Sequence, residues 1–282
     1  MKRLASGGSI PPTSLVLLSI GSTQIGSAIA KTLFEQISPT GVVLLRVGFA
    51  ALMLLCLWRP RFQLSDRCHL WLLIGFGVSL SMMNLTFYLA IDRIPLGVAV
   101  ALEFVGPLGV SIANSHNRLD FLWALLAGTG IILLTPIGEF ALDPVGLILA
   151  LLAGGFWAAY ILLSAQTGRV FPGGAGLAWA MAIGTLLLFP IGIFTEGQAL
   201  LQPHLLAIGF GVALLSSAIP YSLELEALRS LSVQVFGVLL SLEPVAAAVA
   251  GFFVLGETLS FRAITAILLV TIAAAGASRF SK

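Results

Sequence analysis

Ten apolar stretches, each close to the length of a membrane-spanning helix, make up most of this chain. They cover roughly 13–34, 39–58, 69–91, 95–114, 119–137, 144–166, 175–194, 204–228, 231–254 and 260–278. A helix needs about 20 mostly apolar residues to cross the hydrocarbon core of a bilayer. Only 9% of the residues are charged, against about 25% in a soluble domain, so the chain cannot cover a water-exposed surface. We predict an all-α integral membrane protein with ten transmembrane helices.

The distribution of lysine and arginine predicts the orientation, because these residues are retained on the cytoplasmic side. With both termini inside, the cytoplasmic set is Lys2, Arg3, Arg59, Arg61, Arg67, Arg118, Arg169, Arg229, Arg279 and Lys282, and the outside set is Lys31, Arg93 and Arg262. We therefore expect both termini in the cytoplasm. Ala28-Ile29-Ala30 is similar to a signal-peptidase site, but polar residues interrupt the preceding apolar run, so we expect a retained first helix.

The two halves of the chain are weakly repeated. A shift of 137 residues places Ala90–Ile94 over Ala227–Leu231 and, without a gap, Pro107 over Pro244. Each half has five spans, an odd number, so the second half must enter the membrane upside down. Inverted repeats are a transporter architecture, with the substrate site near the midplane where the repeats meet. We predict one five-helix repeat over residues 1–140 and its inverted counterpart over 141–282.

Two glutamates lie in the middle of apolar stretches, each beside a proline. Glu103 comes four residues before Pro107, and Glu243 comes directly before Pro244. A charge at the bilayer centre costs a few kcal/mol or more, so such residues usually face a cavity. A difference of three helical positions is about 300° and 4.5 Å of rise, so the two carboxylates are near neighbours on equivalent surfaces. We expect them to bind substrate or a proton; a structural hydrogen bond to another helix is the alternative.

Further polar residues lie at depth in the first three spans. Gln24, Ser27 and Lys31 share one helix face in span 1. Gln24 is too deep to reach water, which favours cavity lining, whereas Lys31 either faces the cavity or extends to the outer interface. Arg46 in span 2 needs a partner or water, as an ion pair or as a ligand clamp. Asn84 in span 3 is a candidate for a helix–helix hydrogen bond or for the cavity.

Spans 6 and 8 contribute aromatic residues and a third glutamate. Tyr221 and Glu224 are three residues apart on one face, just after Pro220. Trp157 and Tyr160 have the same spacing in span 6. Aromatic side chains at mid-depth, away from the interfacial belt, are suited to flank an organic substrate; plain packing is the alternative.

Several classes of protein are excluded by what the sequence lacks. It has no glycine-rich phosphate loop, no metal-ligand spacing and no catalytic triad pattern, so we predict no cofactor, no metal site and no ATP-driven machine. The net charge of +2 gives no footprint for nucleic acid. An intramembrane enzyme would need a nucleophile–base pair or metal ligands at mid-depth, and the three histidines fall near span ends instead.

Five stretches carry a family resemblance that extends over nearly the whole chain. They are Gly26–Phe34, Ile94–Leu108, Ala218–Glu224, Ser241–Ala247 and Leu255–Leu259. Together they resemble the drug/metabolite transporter superfamily in its EamA-type ten-helix form, most closely the bacterial threonine/homoserine exporter branch. The first repeat departs from the second in lacking the Gly-Glu pair that ends span 9.

This resemblance implies an exporter of small neutral amino acids in the bacterial inner membrane. The implied substrates are similar to threonine or homoserine, and the range extends in the superfamily to aromatic amino acids. Transport would be gradient-driven alternating access through a cavity lined by spans 1, 3, 4, 6, 8 and 9, with spans 5 and 10 packed to the side. Membrane lipid and protons are the further expected partners, and we expect a monomer. The alternatives are a non-transporting membrane scaffold and a carrier of other metabolites such as nucleotide sugars.

Overall fold

A computed structural model describes residues 11–60, 67–113, 119–134, 142–228, 230–231, 236 and 239–280. Its α-helices are α1 (Pro12–Thr32), α2 (Pro39–Trp58), α3 (Arg67–Ile91), α4 (Leu96–Glu103), α5 (Val105–Ala113), α6 (Leu119–Leu134), α7 (Pro144–Val170), α8 (Ala175–Glu196), α9 (Pro203–Ala213), α10 (Ile219–Leu228), α11 (Glu243–Leu255) and α12 (Phe261–Phe280). Two 3₁₀ turns, Leu33–Glu35 and Gly197–Leu201, and a π segment, Leu214–Ala218, complete the helical structure.

The described residues form helices joined by short turns and loops, with no strand among them, which confirms the all-α prediction there. By length and hydropathy, six helical stretches suffice to cross a membrane: Pro12–Glu35, Pro39–Trp58, Arg67–Ile91, Pro144–Val170, Ala175–Leu201 and Pro203–Glu224. Three shorter apolar helices cover Leu96–Val110, Glu243–Leu255 and Phe261–Gly276. Parts of two predicted spans lie outside the described residues. They are residues 232–235 and 237–238 of the span 231–254, and residues 135–137 of the span 119–137.

Prolines mark the beginnings of four helices. Pro12, Pro39, Pro144 and Pro203 occupy the first helical position, where a missing N–H costs nothing and the fixed φ suits a helix. Asp143 strengthens the start of α7, because its Oδ1 accepts the Val145 N–H at 2.9 Å. These residues therefore fix where four of the helices begin.

The helices pack in pairs around a central group. α3 lies against α7 and α8, α2 against α8, α1 against α10 and α11, and α4 against α7 and α11. α6 and α12 pack mainly on one another, which agrees with the expectation that spans 5 and 10 form a scaffold at the side. Large apolar side chains such as Phe194, Phe253 and Phe261 are exposed on the outside, as a lipid-facing surface requires.

The fourth predicted span is broken into α4 and α5 beside its glutamate. Pro107 has no N–H to offer the carbonyl oxygen of Glu103, four residues earlier. Gly154 of α7 lies against that oxygen, and a Cβ added to Gly154 would be 2.6 Å from it. A Cβ added to Gly106 would in turn overlap the carbonyl oxygen of Gly154. The two glycines thus let the backbones of α5 and α7 touch at the point where Glu103 is held.

Candidate functional site

A cavity of about 520 Å³ lies between the central helices. Ligand pockets commonly measure about 300–1,000 Å³, so the cavity is large enough for a small metabolite. The structure brings nine of the ten candidate residues from the sequence into its lining: Gln24, Arg46, Asn84, Glu103, Trp157, Tyr160, Tyr221, Glu224 and Glu243. The tenth, Lys31, lies outside the cavity. Ser27, Ser164 and Ser216 add hydroxyl groups to the wall.

Three carboxylates line this one cavity. Glu103 and Glu243 are each 8% exposed, and neither carboxyl group makes a hydrogen bond or an ion pair with a described residue. Glu224 differs from them, because its Oε1 accepts a hydrogen bond from Ser19 Oγ at 2.6 Å. The cavity therefore brings three buried carboxyl groups together, and Glu224 is the one that accepts a hydrogen bond from a described side chain.

Arg46 supplies the positive charge of the cavity. It is 4% exposed, its Nη2 donates to the carbonyl oxygen of Ser216 at 2.8 Å, and its Nε donates to Ser217 Oγ at 3.0 Å. Its guanidinium carbon lies 5.1 Å from the ring centroid of Tyr88, within the range of a cation–π contact. Its charge also acts on Glu103. No ion pair links Arg46 to any residue that the structure describes, so its charge is held by hydrogen bonds and an aromatic face.

The contact between Arg46 and the backbone follows from a helix break. In the π segment Leu214–Ala218 the hydrogen bonds skip five residues instead of four, and Pro220 brings no N–H. The carbonyl oxygens of Leu215 and Ser216 are therefore left without their usual helical donors. Ser22 Oγ donates to Leu215 O at 2.6 Å, and Arg46 donates to Ser216 O. Side chains from α1 and α2 thus satisfy the broken helix.

The two buried amides have different surroundings. Asn84 donates to the carbonyl oxygen of Leu80 in its own helix at 2.8 Å. Gln24 is 3% exposed, and its Oε1 has no hydrogen-bond partner among the described residues. A buried polar atom without a partner costs about 1–3 kcal/mol. The Gln24 amide is accordingly a group that a polar ligand in the cavity would satisfy.

Aromatic rings form one side of the cavity. Trp157 packs edge-on against Phe104 with ring centroids 5.3 Å apart. Tyr160 lies between Phe76 and Tyr221, at 5.4 and 6.4 Å. Trp157, Tyr160 and Tyr221 are thus packed against other rings and also line the cavity, so packing and substrate contact both stay compatible with their positions.

Lys31 belongs to a polar junction at one end of the cavity. Its Nζ forms an ion pair with Glu257 Oε1 at 2.6 Å and donates to the carbonyl oxygen of Ile94 at 3.1 Å. Glu257 Oε2 accepts the Leu96 N–H at 2.9 Å. The junction joins the end of α1, the start of α4 and the segment after α11. Glu257 was not among the candidate residues from the sequence, although it lies in the Gly-Glu pair that ends span 9.

Neighbouring helix ends are tied together in the same manner. Ser38 N donates to Glu196 Oε1 at 2.8 Å, and His204 Nε2 lies 2.9 Å from Gln36 Oε1. Arg93 Nη1 donates to Asp143 Oδ2 at 3.0 Å, and this hydrogen bond holds the pKa of the half-buried Asp143 carboxyl below its usual range. Alternating spans place all these helix ends on the side predicted to be external.

A smaller cavity lies toward the opposite end. A side cavity of about 110 Å³ shares Tyr160, Ser164, Tyr221 and Glu224 with the main cavity. It continues along Thr167 and Phe171 to the connection between α7 and α8, which the charge distribution predicts to be cytoplasmic. Among the described residues, the site thus extends toward this connection, and polar contacts join the helix ends on the other side.

The described residues contain no group of three or more histidine, cysteine, aspartate or glutamate side chains that could hold an ion.

Comparison with known proteins shows the family to which the chain belongs. Residues 144–279 match the EamA-like transporter family. The threonine/homoserine exporter RhtA of Salmonella typhimurium (strain LT2) is 40% identical over 272 residues, covering 95% of this chain and 91% of that protein. RhtA of Escherichia coli (strain K12) is 42% identical over 254 residues, covering 88% and 85%.

One solved crystal structure has a similar fold. It superposes with a TM-score of 0.61 at 16% identity and covers 94% of this chain and 97% of the other. At that identity the likeness bears on the fold alone.

Proposed function

Because the chain belongs to the EamA-like transporter family, in the branch of the threonine/homoserine exporter RhtA, we propose that it exports small neutral amino acids from the cytoplasm. The identity of 40–42% over most of the chain supports this class of substrate. Its relatives are transporters and not enzymes, and the apolar helices make it a multi-pass membrane protein, which we place in the bacterial inner membrane. Threonine and homoserine are the first substrates to test, and the aromatic wall favours including aromatic amino acids.

The observation that carries the proposal is the charge pattern of the 520 Å³ cavity. A zwitterion needs an acceptor for its ammonium group and a donor for its carboxylate. Glu103, Glu224, Glu243 and the unpartnered Oε1 of Gln24 offer the acceptors, and Arg46 offers the donor from the same lining. A carrier of nucleotide sugars or other anions would need several cations, and Arg46 is the only basic residue in the described lining.

The proposed architecture is ten spans in two inverted repeats, residues 1–140 and 141–282, with both termini cytoplasmic. The Lys31–Glu257 junction connects helices of the first repeat to the second at the external end. We expect the contacts of this junction to hold the external end together in a cytoplasm-facing form, in which the side cavity at the other end leads toward the cytoplasm. Rocking of the repeats about the site then exposes it alternately to the two sides, driven by an ion gradient or by the substrate gradient itself.

Counterflow in liposomes tests the proposal. The purified protein, expected to act as a monomer, is reconstituted with unlabelled substrate inside, and uptake of labelled threonine, homoserine, alanine and phenylalanine is measured. We expect threonine and homoserine to exchange, and Glu224→Gln to lose exchange because the ammonium loses an acceptor. Glu35→Gln is the matched control, since Glu35 is an exposed glutamate outside the cavity. A folded wild-type protein that exchanges none of these amino acids would refute the proposal.

A further inference from the structure

The side cavity contains a buried hydroxyl group without a partner. Thr167 is 2% exposed, and its Oγ1 has no hydrogen-bond partner among the described residues. Other threonines in the helices, such as Thr86, Thr185 and Thr265, donate to the carbonyl oxygen four residues earlier. A buried polar group that stays unpaired destabilises a fold. The Thr167 hydroxyl is therefore suited to a ligand that supplies the missing partner.

The position of this hydroxyl is fixed by α8. A Cβ added to Gly176 would overlap the Thr167 methyl group, so this methyl packs directly on the backbone of α8. The methyl and the hydroxyl share one carbon, and a β-branched side chain has few rotamers in a helix. The hydroxyl therefore cannot turn away while the methyl is held. Since Thr167 lines the side cavity, that cavity has a polar group at a constant place.

The two cavities divide between them the groups that an amino acid needs. Among the described lining residues, Arg46 belongs to the main cavity alone, Thr167 to the side cavity alone, and Glu224 and Ser164 to both. Ser164 and Thr167 are three residues apart on α7, which is about 4.5 Å along the helix axis. An ammonium group bound at Glu224 thus allows the carboxylate to reach Arg46 in one cavity while the side chain enters the other.

The side cavity is suited to a slender side chain with a polar end. The rings of Phe76, Tyr160 and Tyr221 line it and offer apolar surface to methylene groups, while Thr167 offers a hydroxyl. Its volume of about 110 Å³ is smaller than the roughly 150 Å³ of an engineered protein cavity that holds benzene. A substituted aromatic ring is therefore too large for it, whereas an unbranched chain that ends in an amide or a hydroxyl fits.

We propose that the side cavity is a side-chain subsite that selects neutral amino acids with an unbranched side chain ending in a polar group, and that Thr167 binds that end. This inference rests on the proposed export of amino acids and defines part of the substrate range. Glutamine fits the subsite, because its side chain extends to an amide that can donate and accept. Homoserine fits it with a shorter reach. Threonine carries its hydroxyl on a branched carbon, so its side chain stays in the main cavity.

Competition in the liposome counterflow assay tests the subsite. Unlabelled glutamine or norleucine competes with labelled threonine; both have unbranched side chains of similar length, and glutamine alone has a polar end. Glutamine should inhibit the wild-type protein more strongly than norleucine. Thr167→Val keeps the shape of the side chain and removes the hydroxyl. It should reduce the preference for glutamine over norleucine by about two- to tenfold, the factor that corresponds to one net hydrogen bond.

Thr271→Val is the matched control. Thr271 is also buried, at 9% exposed, and its Oγ1 also lacks a partner among the described residues. It lies on α12 and lines neither cavity. This variant should therefore leave both threonine counterflow and the preference for glutamine over norleucine unchanged.

The remaining outcomes separate the subsite from the transport activity itself. An unchanged preference in Thr167→Val, an equal fall in both variants, or wild-type inhibition by norleucine as strong as by glutamine would each overturn the subsite and leave the exporter proposal standing. Absence of wild-type counterflow with every amino acid tested would refute the exporter proposal and the subsite with it. If Thr167→Val does not fold, Thr167→Ser should keep the preference and Thr167→Ala should lose it; equal preferences in these two variants would also overturn the subsite.

Discussion

Substitution of Gly154 by alanine measures how tightly α7 fixes the break beside Glu103. The new Cβ would lie 2.6 Å from the Glu103 carbonyl oxygen, whereas real Cβ atoms essentially never approach closer than 3.0 Å. The backbone of α4 must therefore move by at least the difference, 0.4 Å. Overpacking of this kind costs about 1–3 kcal/mol. Because Glu103 moves with its backbone, we also expect slower threonine counterflow.

Gly155 is the matched control, because a Cβ there meets nothing within 4 Å. Both substitutions gain the same helix propensity, up to about 1 kcal/mol, so the difference between the two variants isolates the overlap. At about 2–4 °C per kcal/mol, Gly154→Ala should melt several degrees below Gly155→Ala in a detergent thermostability assay. Equal melting temperatures would show that the two backbones are not in contact and would remove the explanation for how Glu103 is held.

Three further perturbations test other contacts. Glu257→Gln should lower the melting temperature more than Lys31→Gln, because Glu257 accepts from both Lys31 and the Leu96 N–H; equal losses would contradict this. Arg46→Gln should destabilise the protein by about 1–3 kcal/mol, because it leaves the buried Ser216 carbonyl without its donor. Pro220→Ala restores a backbone N–H and should reduce that loss in the double variant. Additive effects of the two substitutions would argue against a coupling between Arg46 and Pro220. The Asp143 pKa is depressed by its hydrogen bond from Arg93, so the stabilisation is present above the ordinary aspartate pKa and is lost as pH falls through the folded value. Asp143→Asn should therefore melt below wild type at pH 7, with the difference shrinking at acid pH.

Much of the cavity lining could be predicted because buried polar groups are conspicuous in apolar helices. Glu103, Glu243 and Arg46 each interrupt a stretch that otherwise suits lipid, and the cost of placing a charge there leaves a cavity as the simplest environment. The structure places all three in the same lining. The helical periodicity of span 8 similarly predicted that Tyr221 and Glu224 face one way.

The partners of these residues could not be predicted from one sequence. Ser19 and Glu224 are 205 residues apart, and Lys31 and Glu257 are 226 apart, so each pair depends on how distant helices pack. A serine in an apolar helix also gives little signal, because its hydroxyl can bond to its own helix, as Ser222 does with Ala218 O. The sequence left open whether Lys31 faces the cavity or extends to the outer interface. In the structure its Nζ binds Glu257 instead, and that contact could not be predicted without the packing.

The π segment Leu214–Ala218 has an evolutionary consequence. A π turn holds one residue more than an α turn, so everything after it is rotated by about 100° relative to an unbroken helix. Tyr221 and Glu224 reach the cavity through that rotation. Loss of one residue before Pro220 would leave the span just as apolar and still long enough to cross the bilayer, yet would turn both side chains toward neighbouring helices. Two relatives that differ by a single-residue gap in this helix would therefore have different sites. Their overall sequence identity would hardly reveal that difference.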